Sequence, residues 1–347
     1  MRQGPSYLVF WVTQNCNARC AFCFNHEENL RKNNDLTIEE ITRIAISWSG
    51  LRYMTLAGGE PTLRQDLPEI IEAFVTHSGL SMCSIVTNGL KWRSILEQAE
   101  RAASRHPKLG LNIGVSIDFI GAEHDANRKV EGCYEGCIKV IEGVLELRRR
   151  LPNLMVNAVG TYTKASAPSI EATAHTIMSR YGIPYCLNLV RGSIEDPVLK
   201  DIDIGHYEAT ARRILRMEET VIPKTTWMAP FRFALEEEAV GMIARTAAGG
   251  GIQSTCVAGR QGVLLESNGT LRLCELRPDA FGNVRDHGYD VPGMLRTPES
   301  AKVVTDMLME NCHCTWECLN RANAAFDATR WPRLAARVIR KHLWSRP

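Results

Sequence analysis

The sequence has no apolar run that reaches the ~18 residues needed to span a membrane, so an integral membrane protein is not expected. Its start, MRQGPSYLVFWVTQNC, lacks the small-residue cleavage site of a signal peptide, which favours a cytoplasmic protein. Repeats and low-complexity segments are missing, and the composition argues against disordered, collagen-like and coiled-coil chains. The net charge is only +2, and the chain before its basic tail is mildly acidic, so no nucleic-acid partner is expected.

Cysteine, by contrast, is abundant. Twelve cysteines in 347 residues without a secretory signal indicate metal or redox chemistry rather than a disulfide framework. The length exceeds what one hydrophobic core usually organises, which predicts one large domain and a smaller one toward one end.

Short apolar runs that are typical of buried strands alternate with stretches of helical period. The predicted strands are 7–12, 53–57, 82–87, 111–117, 154–161 and 184–190, and the predicted helices are 37–48, 66–77, 91–104, 135–150, 168–181 and 205–219. This order predicts an α/β fold with parallel strands and right-handed crossovers, either an open doubly wound sheet or part of a (βα) barrel.

The alternation of predicted strands and helices ends with a connecting helix at 230–245 and a glycine-rich joint at 247–251. Two short strands, GVLLE and TLRLC, are joined by an Asn-Gly pair, which is a strong hairpin signal. A smaller domain is therefore expected near the carboxyl end.

Cys16, Cys20 and Cys23 form a C-x3-C-x2-C loop directly after the first predicted strand. Such a loop can bring three thiolates to one corner of an iron-sulfur cube and leave one iron open. A zinc loop with a distant fourth ligand, or a chance cluster of buried thiols, is the alternative from spacing alone.

The cysteine loop, with Phe22 before its third cysteine, resembles the signature of the radical S-adenosylmethionine (radical SAM) enzymes. Further motifs extend the resemblance, each at the carboxyl end of a predicted strand, where parallel α/β folds build their sites. These motifs are Gly58-Gly59-Glu60-Pro61, Thr87-Asn88-Gly89, and Ser116-Ile117-Asp118 with Arg128.

The resemblance implies a [4Fe-4S] cluster whose open iron binds the amino and carboxylate groups of S-adenosylmethionine. One electron then breaks the S–C5′ bond, and a 5′-deoxyadenosyl radical removes hydrogen from the substrate. It further implies that the GGEP backbone and Glu60 meet the methionine ammonium, and that Ser116 and Arg128 meet its carboxylate. Asn88 and Asp118 belong to the same expected cofactor site. Each of these residues has an alternative without a role in cofactor binding. The glycines would only permit a turn, Glu60 and Arg128 would be solvated surface charges, and Ser116 would cap a helix.

A second cysteine set resembles the auxiliary-cluster extensions called SPASM and twitch domains. Its members are Cys256, Cys274, Cys312, Cys314 and Cys318. Five cysteines, rather than the seven of a full SPASM domain, suggest one auxiliary [4Fe-4S] cluster, with Cys256, Cys274 and Cys318 as the firmest ligands and one of the last three spare. His313 is the other candidate ligand, although a solvent-facing histidine is more common, and a zinc site is the alternative.

The resemblance implies a partial (βα)6 TIM-like barrel with a small α+β domain. We expect a radical SAM core at 1–215, connecting helices and linker at 216–250, an auxiliary cluster domain at 251–325 and a basic amphipathic helix at 326–347. On a helical wheel, that last helix places Trp331, Leu334, Ala335, Val338 and Ile339 opposite Arg333, Arg337 and Arg340. It is expected either to pack on the protein or to lie on an anionic membrane.

The substrate is open. The chain begins almost at its first strand, which leaves no room for a leader-peptide-binding domain and favours a small-molecule or lipid-linked substrate over the ribosomal peptide of a maturase. Arg191, after the sixth strand, is expected either to bind an anionic substrate group or to be a surface arginine. A reductase such as flavodoxin or ferredoxin is the expected electron donor, and a non-enzymatic iron-sulfur or zinc scaffold is the alternative of another class.

Cys133 and Cys137 lie four residues apart near a predicted helix start, which places them on one helix face. Packing is the default expectation for both. A cysteine that donates hydrogen to a substrate radical is the alternative.

Overall fold

A computed structural model describes residues 4–25, 34–221 and 229–343. The chain forms two compact units. The first comprises Met1–Val159, Gly192–Asp196 and Ala258–Asp306, and the second comprises Gly160–Arg191, Pro197–Val257 and Met307–Pro347. None of the described helices is long and apolar enough to cross a bilayer.

The first unit is built on a sheet whose strands follow the order β5-β4-β3-β2-β1-β7-β8-β9. The strands β1 to β5 pair in parallel, and their bounds are β1 (Tyr7–Thr13), β2 (Tyr53–Gly58), β3 (Met82–Thr87), β4 (Gly110–Ser116) and β5 (Leu154–Tyr162). In β1, every residue after the first is buried, as expected for a parallel strand covered on both faces. The carboxyl ends of these parallel strands therefore share one edge.

Five helices of the first unit follow these strands. They are α1 (Ile38–Ser47), α2 (Leu67–Ser78), α3 (Trp92–Arg105), α4 (Ala122–Arg128) and α5 (Cys133–Arg148). A capping box begins α1, in which the Thr37 side chain accepts from Glu40 N–H while the Glu40 carboxylate accepts from Thr37 N–H. Helix α2 ends at Gly79, whose positive φ of 80° suits a residue without Cβ.

The predicted hairpin is confirmed as β7 (Gly262–Leu265) and β8 (Thr270–Arg272). It lies in the first unit, where β7 runs parallel to β1 with Phe10 opposite Leu265. A strand that was not predicted, β9 (Ala280–Asn283), pairs with β8. The short helix α9 (Val291–Met294) follows, and α10 (Pro298–Met309) ends beyond the boundary of this unit. The units interleave along the chain, whereas the four predicted domains are consecutive, and the domain scheme stays a prediction.

The second unit is mainly helical. It contains β6 (Tyr185–Leu189) and the helices α6 (Ile170–Tyr181), α7 (Ile204–Val221), α8 (Ala229–Ala247), α11 (Glu317–Phe326) and α12 (Trp331–Leu343). Beyond the end of β6, Val190 N–H donates to Tyr162 O of β5 at 3.0 Å. With six strand-then-helix units and a parallel sheet, the predicted α/β class is confirmed, and this order is consistent with a partial (βα)6 barrel.

The carboxyl-terminal helix α12 packs on α8. Leu334 is buried, as the helical wheel predicts. The wheel is wrong for Arg337, which it places on the water face, because acidic residues of α8 draw this side chain inward. The Arg337 guanidinium lies 2.5 Å from Glu237 and 3.0 Å from Glu238. Trp331 and Ile339 remain exposed, at 58% and 59%.

Glu40 links two distant parts of the first unit, and we predict that removing its charge destabilises the protein. The carboxylate lies 2.6 Å from Arg285 Nε and accepts from Tyr289 Oη at 2.9 Å. Glu40→Gln keeps an oxygen for the capping box but loses the ion pair, so the free energy of unfolding at pH 7 should fall by about 1–2 kcal/mol.

The effect should depend on pH. The hydrogen bond from Arg285 lowers the pKa of Glu40 from an ordinary value of 4.5 to about 2. Stabilisation from a carboxyl with a lowered folded-state pKa is present above pH ~4.5 and is lost as the pH falls toward ~2. In urea unfolding, the free energies of unfolding of Glu40→Gln and wild type should therefore converge as the pH falls. Glu39→Gln, at an exposed residue of the same helix, is the control. A difference that stays constant down to about pH 3 would contradict the assignment.

Candidate functional site

The loop that carries Cys16, Cys20 and Cys23 directly follows β1 at the carboxyl edge of the sheet. Cys23 N–H donates to Cys20 O at 3.1 Å, which closes a tight turn between these two cysteines. Ala18 N–H lies 3.5 Å from Cys16 Sγ and points at the sulfur. N–H groups directed at cysteine sulfur are the hydrogen bonds that tune iron-sulfur clusters.

The spacing of these three thiols is wider than one metal ion requires. Among the described residues, only one set of three His, Cys, Asp or Glu side chains has all its ligand atoms within 4.8 Å of one another, and it lies elsewhere. Ligands of a single zinc lie about 3.8 Å apart, whereas each thiolate of a cluster binds a separate iron. Burial raises the pKa of all three thiols, that of Cys16 to about 11, so bound iron would have to displace their protons.

Glu60 joins the loops after β2 and β3. It is 2% exposed, and its Oε1 accepts from Thr62 Oγ1 at 2.6 Å, Thr62 N–H at 3.2 Å and Thr87 Oγ1 at 2.8 Å. Its Oε2 accepts from Asn88 N–H at 2.8 Å. Burial raises the pKa of Glu60, while these donors oppose the shift. The solvated-charge alternative for Glu60 is therefore wrong.

Gly58 and Gly59 allow the loop after β2 to touch the end of β1. Gly59 N–H donates to Thr13 O at 2.9 Å, and a Cβ on Gly59 would lie 2.0 Å from Asn15 O. Gly58 has a φ of 117°, and its Cβ would lie 2.3 Å from Thr13 O. These glycines thus do more than permit a turn, because only glycine fits the close contact with the start of the cysteine loop. Pro61 begins a 3-10 turn next to them.

Arg128 ties the loop after β4 to the cysteine loop. Its guanidinium contacts Asp118 Oδ2, at 2.9 Å from Nε and 2.7 Å from Nη2, and its Nη1 lies 3.7 Å from Cys20 Sγ. The Phe22 ring lies 5.1 Å from the guanidinium carbon, and Arg19 N–H donates to Arg128 O at 3.2 Å. Arg128 is 8% exposed, so it is not a solvated surface charge.

The loops of β3 and β1 are joined by Asn88, whose side-chain amide donates to Asn17 Oδ1 at 2.8 Å. On its other side, Asn88 O accepts from Cys133 Sγ and Cys137 Sγ, and Ser116 O accepts from Cys137 Sγ at 3.4 Å. Hydrogen bonding from Cys137 lowers the pKa of Cys133, and burial raises that of Cys137. The two thiols therefore differ in acidity although they contact the same carbonyl oxygen.

Arg191 lies in the second unit and is paired with a buried acid. Its Nη1 lies 2.8 Å from Glu317 Oε2, and the two side chains are 14% and 6% exposed. Glu317 also accepts from Leu189 N–H. The surface alternative for Arg191 is wrong, and any anion that binds it has to compete with Glu317.

The five carboxyl-terminal cysteines are divided between the units. Cys274 belongs to the first, and Cys256, Cys312, Cys314 and Cys318 belong to the second. In the second unit, Val257 N–H donates to Asn323 Oδ1 of α11 at 2.9 Å, which holds the segment after Cys256 against the helix that carries Cys318. His313 is exposed with Nδ1 directed at Asn311 O, as expected of a solvent-facing histidine.

Sequence reasoning missed several residues of this site. Thr62 holds the Glu60 carboxylate, Asn17 holds Asn88, and Glu317 neutralises Arg191. Thr87, which also holds Glu60, belongs to the Thr-Asn-Gly motif that the sequence shows at the end of β3. The other contacts join residues that are distant in the chain or lack a distinctive pattern.

Comparison with known proteins agrees with this geometry. Residues 12–163 match the Radical SAM superfamily. A GTP 3′,8-cyclase of Tolumonas auensis is 34% identical over 118 residues, which are 33% of this chain and 33% of that protein. A probable GTP 3′,8-cyclase of Thermococcus kodakarensis is 30% identical over 148 residues, which are 42% of this chain and 45% of that protein. The chain thus spans less than half the length of these curated relatives.

Solved structures share the fold over more of the chain. Native anSMEcpe with bound AdoMet superposes with a TM-score of 0.59 at 16% identity, covering 98% of this chain and 97% of that one. Streptococcus suis SuiB bound to S-adenosylmethionine gives a TM-score of 0.63 at 15% identity, covering 87% of this chain and 68% of that one. Identities this low show a common fold alone. Residues 12–163 of this chain are therefore similar to a radical SAM domain in sequence, and the chain shares the fold of these two enzymes.

Proposed function

We propose that the chain is a radical SAM enzyme that reductively cleaves S-adenosylmethionine and abstracts hydrogen from a substrate. The observation that carries the proposal is the convergence of the loops after β2, β3 and β4 on the cysteine loop after β1. Arg128 contacts both Asp118 and Cys20, and Glu60 joins the loops after β2 and β3. A non-enzymatic electron carrier would need no such cofactor-binding groups.

Cys16, Cys20 and Cys23 would hold the [4Fe-4S] cluster. Three thiols in one C-x3-C-x2-C loop, a sulfur-directed N–H group and a neighbouring guanidinium fit an anionic cluster. When bound, the reduced cluster with S-adenosylmethionine supplies the 5′-deoxyadenosyl radical. The chain's own part is to hold the thiolates, to offset their charge with Arg128 and to keep water out.

The remaining loop residues would bind the methionine part of the cofactor. Glu60 Oε2 accepts one donor in the structure, so it retains capacity to accept from the ammonium together with carbonyls of the GGEP backbone. Ser116 and the edge of Arg128 that Asp118 does not occupy would meet the carboxylate. Arg128 thus has two roles, since it also positions Cys20.

Perturbation of the cluster by its cofactor tests this proposal directly. After anaerobic reconstitution and reduction, addition of S-adenosylmethionine should change the electron paramagnetic resonance spectrum, because it ligates the open iron. The methionine-free analogue 5′-deoxyadenosine is the matched control and should change it far less. An identical spectrum with and without S-adenosylmethionine would contradict the proposal.

For the substrate, we propose a small-molecule or lipid-linked compound, with a ribosomal peptide as the alternative. GTP is the first small molecule to test, because relatives named GTP 3′,8-cyclase are 30–34% identical to this chain over 118–148 residues. The peptide alternative has support from the fold likeness to anSMEcpe with a bound Cp18Cys peptide, at a TM-score of 0.58. A flavodoxin or ferredoxin is the proposed reductant.

We also propose an auxiliary cluster on the carboxyl-terminal cysteines, in a SPASM- or twitch-like domain. The hydrogen bond that holds the segment of Cys256 against α11, the helix of Cys318, supports it within the second unit.

Two clusters predict about eight irons per chain after anaerobic reconstitution. Replacing Cys256 and Cys274 together with alanine should lower this to about four and stop substrate turnover while leaving some cleavage of S-adenosylmethionine. Cys186→Ala, at another cysteine of the second unit, is the control and should keep about eight. Zinc bound by four sulfurs in the wild-type protein would contradict the auxiliary cluster.

The helix α12 is a proposed contact with an anionic membrane surface, peripheral to an otherwise cytoplasmic protein. Exposed Trp331 and Ile339 flank Arg333, which faces solvent, and such a mixture suits an interfacial helix. Replacing Trp331 and Ile339 with alanine should reduce co-sedimentation with anionic liposomes at low salt. Ile46→Ala, at an equally exposed apolar residue of α1, should leave it unchanged. Equal sedimentation of all three proteins would contradict the membrane contact.

A further inference from the structure

A second group of metal-ligating side chains lies behind the β3 loop. His124 of α4 and Cys133 and Cys137 of α5 are completely buried. Their ligand atoms all lie within 4.8 Å of one another, and no other three His, Cys, Asp or Glu side chains in residues 4–25, 34–221 and 229–343 satisfy this condition. None of the three belongs to the site proposed for the cluster and its cofactor.

Packing holds the two thiols in place. The first turns of α5 lie directly against the β3 loop, because a Cβ on Gly136 would be only 2.5 Å from Gly89 O. This close approach brings Asn88 O to 3.2 Å from Cys133 Sγ and 3.1 Å from Cys137 Sγ. One carbonyl oxygen thus lies next to both sulfurs.

The imidazole faces the same point. His124 Nδ1 accepts from Asp118 N–H at 3.2 Å and lies 4.0 Å from the Asp118 carboxylate. The other ring nitrogen, Nε2, is turned toward the sulfurs and lies 3.6 Å from Cys133 Sγ. Two sulfurs, one nitrogen and one carbonyl oxygen therefore surround a common centre.

These distances are close to the edges of a zinc tetrahedron. With Zn–S bonds of about 2.3 Å and Zn–N or Zn–O bonds of about 2.0 Å, tetrahedral angles give sulfur-to-nitrogen and sulfur-to-oxygen edges of about 3.5 Å. The structure has 3.6 Å for the nitrogen edge and 3.1–3.2 Å for the two oxygen edges. Three of the six edges of such a tetrahedron thus lie within about 0.4 Å of the zinc values.

We propose that His124, Cys133 and Cys137, with the carbonyl oxygen of Asn88, bind one Zn²⁺ ion. Two thiolates neutralise the ion, so the buried site carries no net charge, and soft sulfur donors favour zinc over magnesium or calcium. Binding releases the thiol protons and moves the ring proton from Nε2 to Nδ1, so the imidazole gives up the hydrogen bond from Asp118 N–H and turns Nδ1–H to the Asp118 carboxylate, 4.0 Å away.

The ion would brace the cofactor site from behind. Asn88 N–H is bound to Glu60, and Asn88 O would be bound to the metal, so the β3 loop would be held on both sides. His124 would connect the same ion to the loop after β4, because its Nδ1 lies 4.0 Å from the Asp118 carboxylate. Its role is structural, and the proposal stands or falls independently of cleavage of S-adenosylmethionine.

Zinc analysis of the full-length, cluster-loaded protein tests the proposal, because the other cysteine sets are then occupied by iron. After Zn²⁺ is added and excess is removed on a desalting column, wild type should retain about one zinc per chain. The double variant Cys133→Ser/Cys137→Ser should retain none. The matched control Cys83→Ser, at a buried cysteine of β3, should retain as much as wild type. Equal retention by wild type and the double variant would overturn the proposal.

X-ray absorption at the zinc edge of wild type does not depend on the folding of any variant. Two sulfur and two nitrogen or oxygen neighbours, including the scattering pattern of one imidazole, are expected. His124→Gln should remove the imidazole pattern and keep the sulfurs. Four sulfur neighbours, or failure of wild type to retain zinc, would overturn the site.

Discussion

Replacing Cys16, Cys20 and Cys23 together with alanine is expected to abolish formation of 5′-deoxyadenosine from S-adenosylmethionine. Without these thiolates no cluster with an open iron can form, so the loss should be complete rather than partial. The product is measured by chromatography after anaerobic incubation with a strong reductant.

The control for this triple variant is Cys83→Ala. Cys83 is fully buried in β3, and burial alone raises its pKa, so it resembles a packing cysteine. It should keep wild-type product formation per bound iron. Reductive cleavage by the triple variant would show that the cluster assignment is wrong.

The second large effect is expected at Glu60. In Glu60→Gln, the one remaining oxygen can still accept from Thr62 and Thr87. The new NH2 group then takes the place of Oε2, which in the wild-type protein accepts from Asn88 N–H at 2.8 Å. Two donors cannot share that distance, so the β3 loop must move. Loss of about 2–3 kcal/mol of charge-assisted bonding corresponds to about 30- to 150-fold weaker binding of S-adenosylmethionine.

Equilibrium binding to the reconstituted protein measures this effect, and circular dichroism checks that the variant is folded. Thr87→Ser retains the hydroxyl that donates to Glu60 and serves as the control, with binding within a few-fold of wild type. Undiminished affinity in Glu60→Gln would show that the carboxylate is not needed to arrange the site.

The sequence predicts the strand and helix order well because burial on both faces leaves continuous apolar runs in parallel strands, and amphipathic helices leave a 3.6-residue period. The sequence signal for the hairpin, the pair Asn268-Gly269, is equally local. The pairing of β7 with β1 is different, because residues about 255 positions apart meet without a local signal. Strand β9, four residues long, is too short to stand out from a turn-rich segment.

The candidate site likewise contains residues that the sequence could predict and residues that it could not. Glycines, cysteines and Glu60 form recognisable motifs because the chemistry restricts the residues and their spacing. The partners of these groups are set by tertiary contacts, as Arg191 and Glu317 illustrate, since 126 positions separate them. The spacing of Cys133 and Cys137 predicts a shared helix face, but only the fold adds His124 and the Asn88 carbonyl.

Formation of 5′-deoxyadenosine by the wild-type chain tests the central claim most directly. The anaerobically reconstituted protein is incubated with S-adenosylmethionine and a strong reductant, with a sample lacking reductant as the control. We predict reductant-dependent 5′-deoxyadenosine and methionine in equal amounts, even without substrate. A protein that carries a reduced [4Fe-4S] cluster and yields neither product would contradict the account.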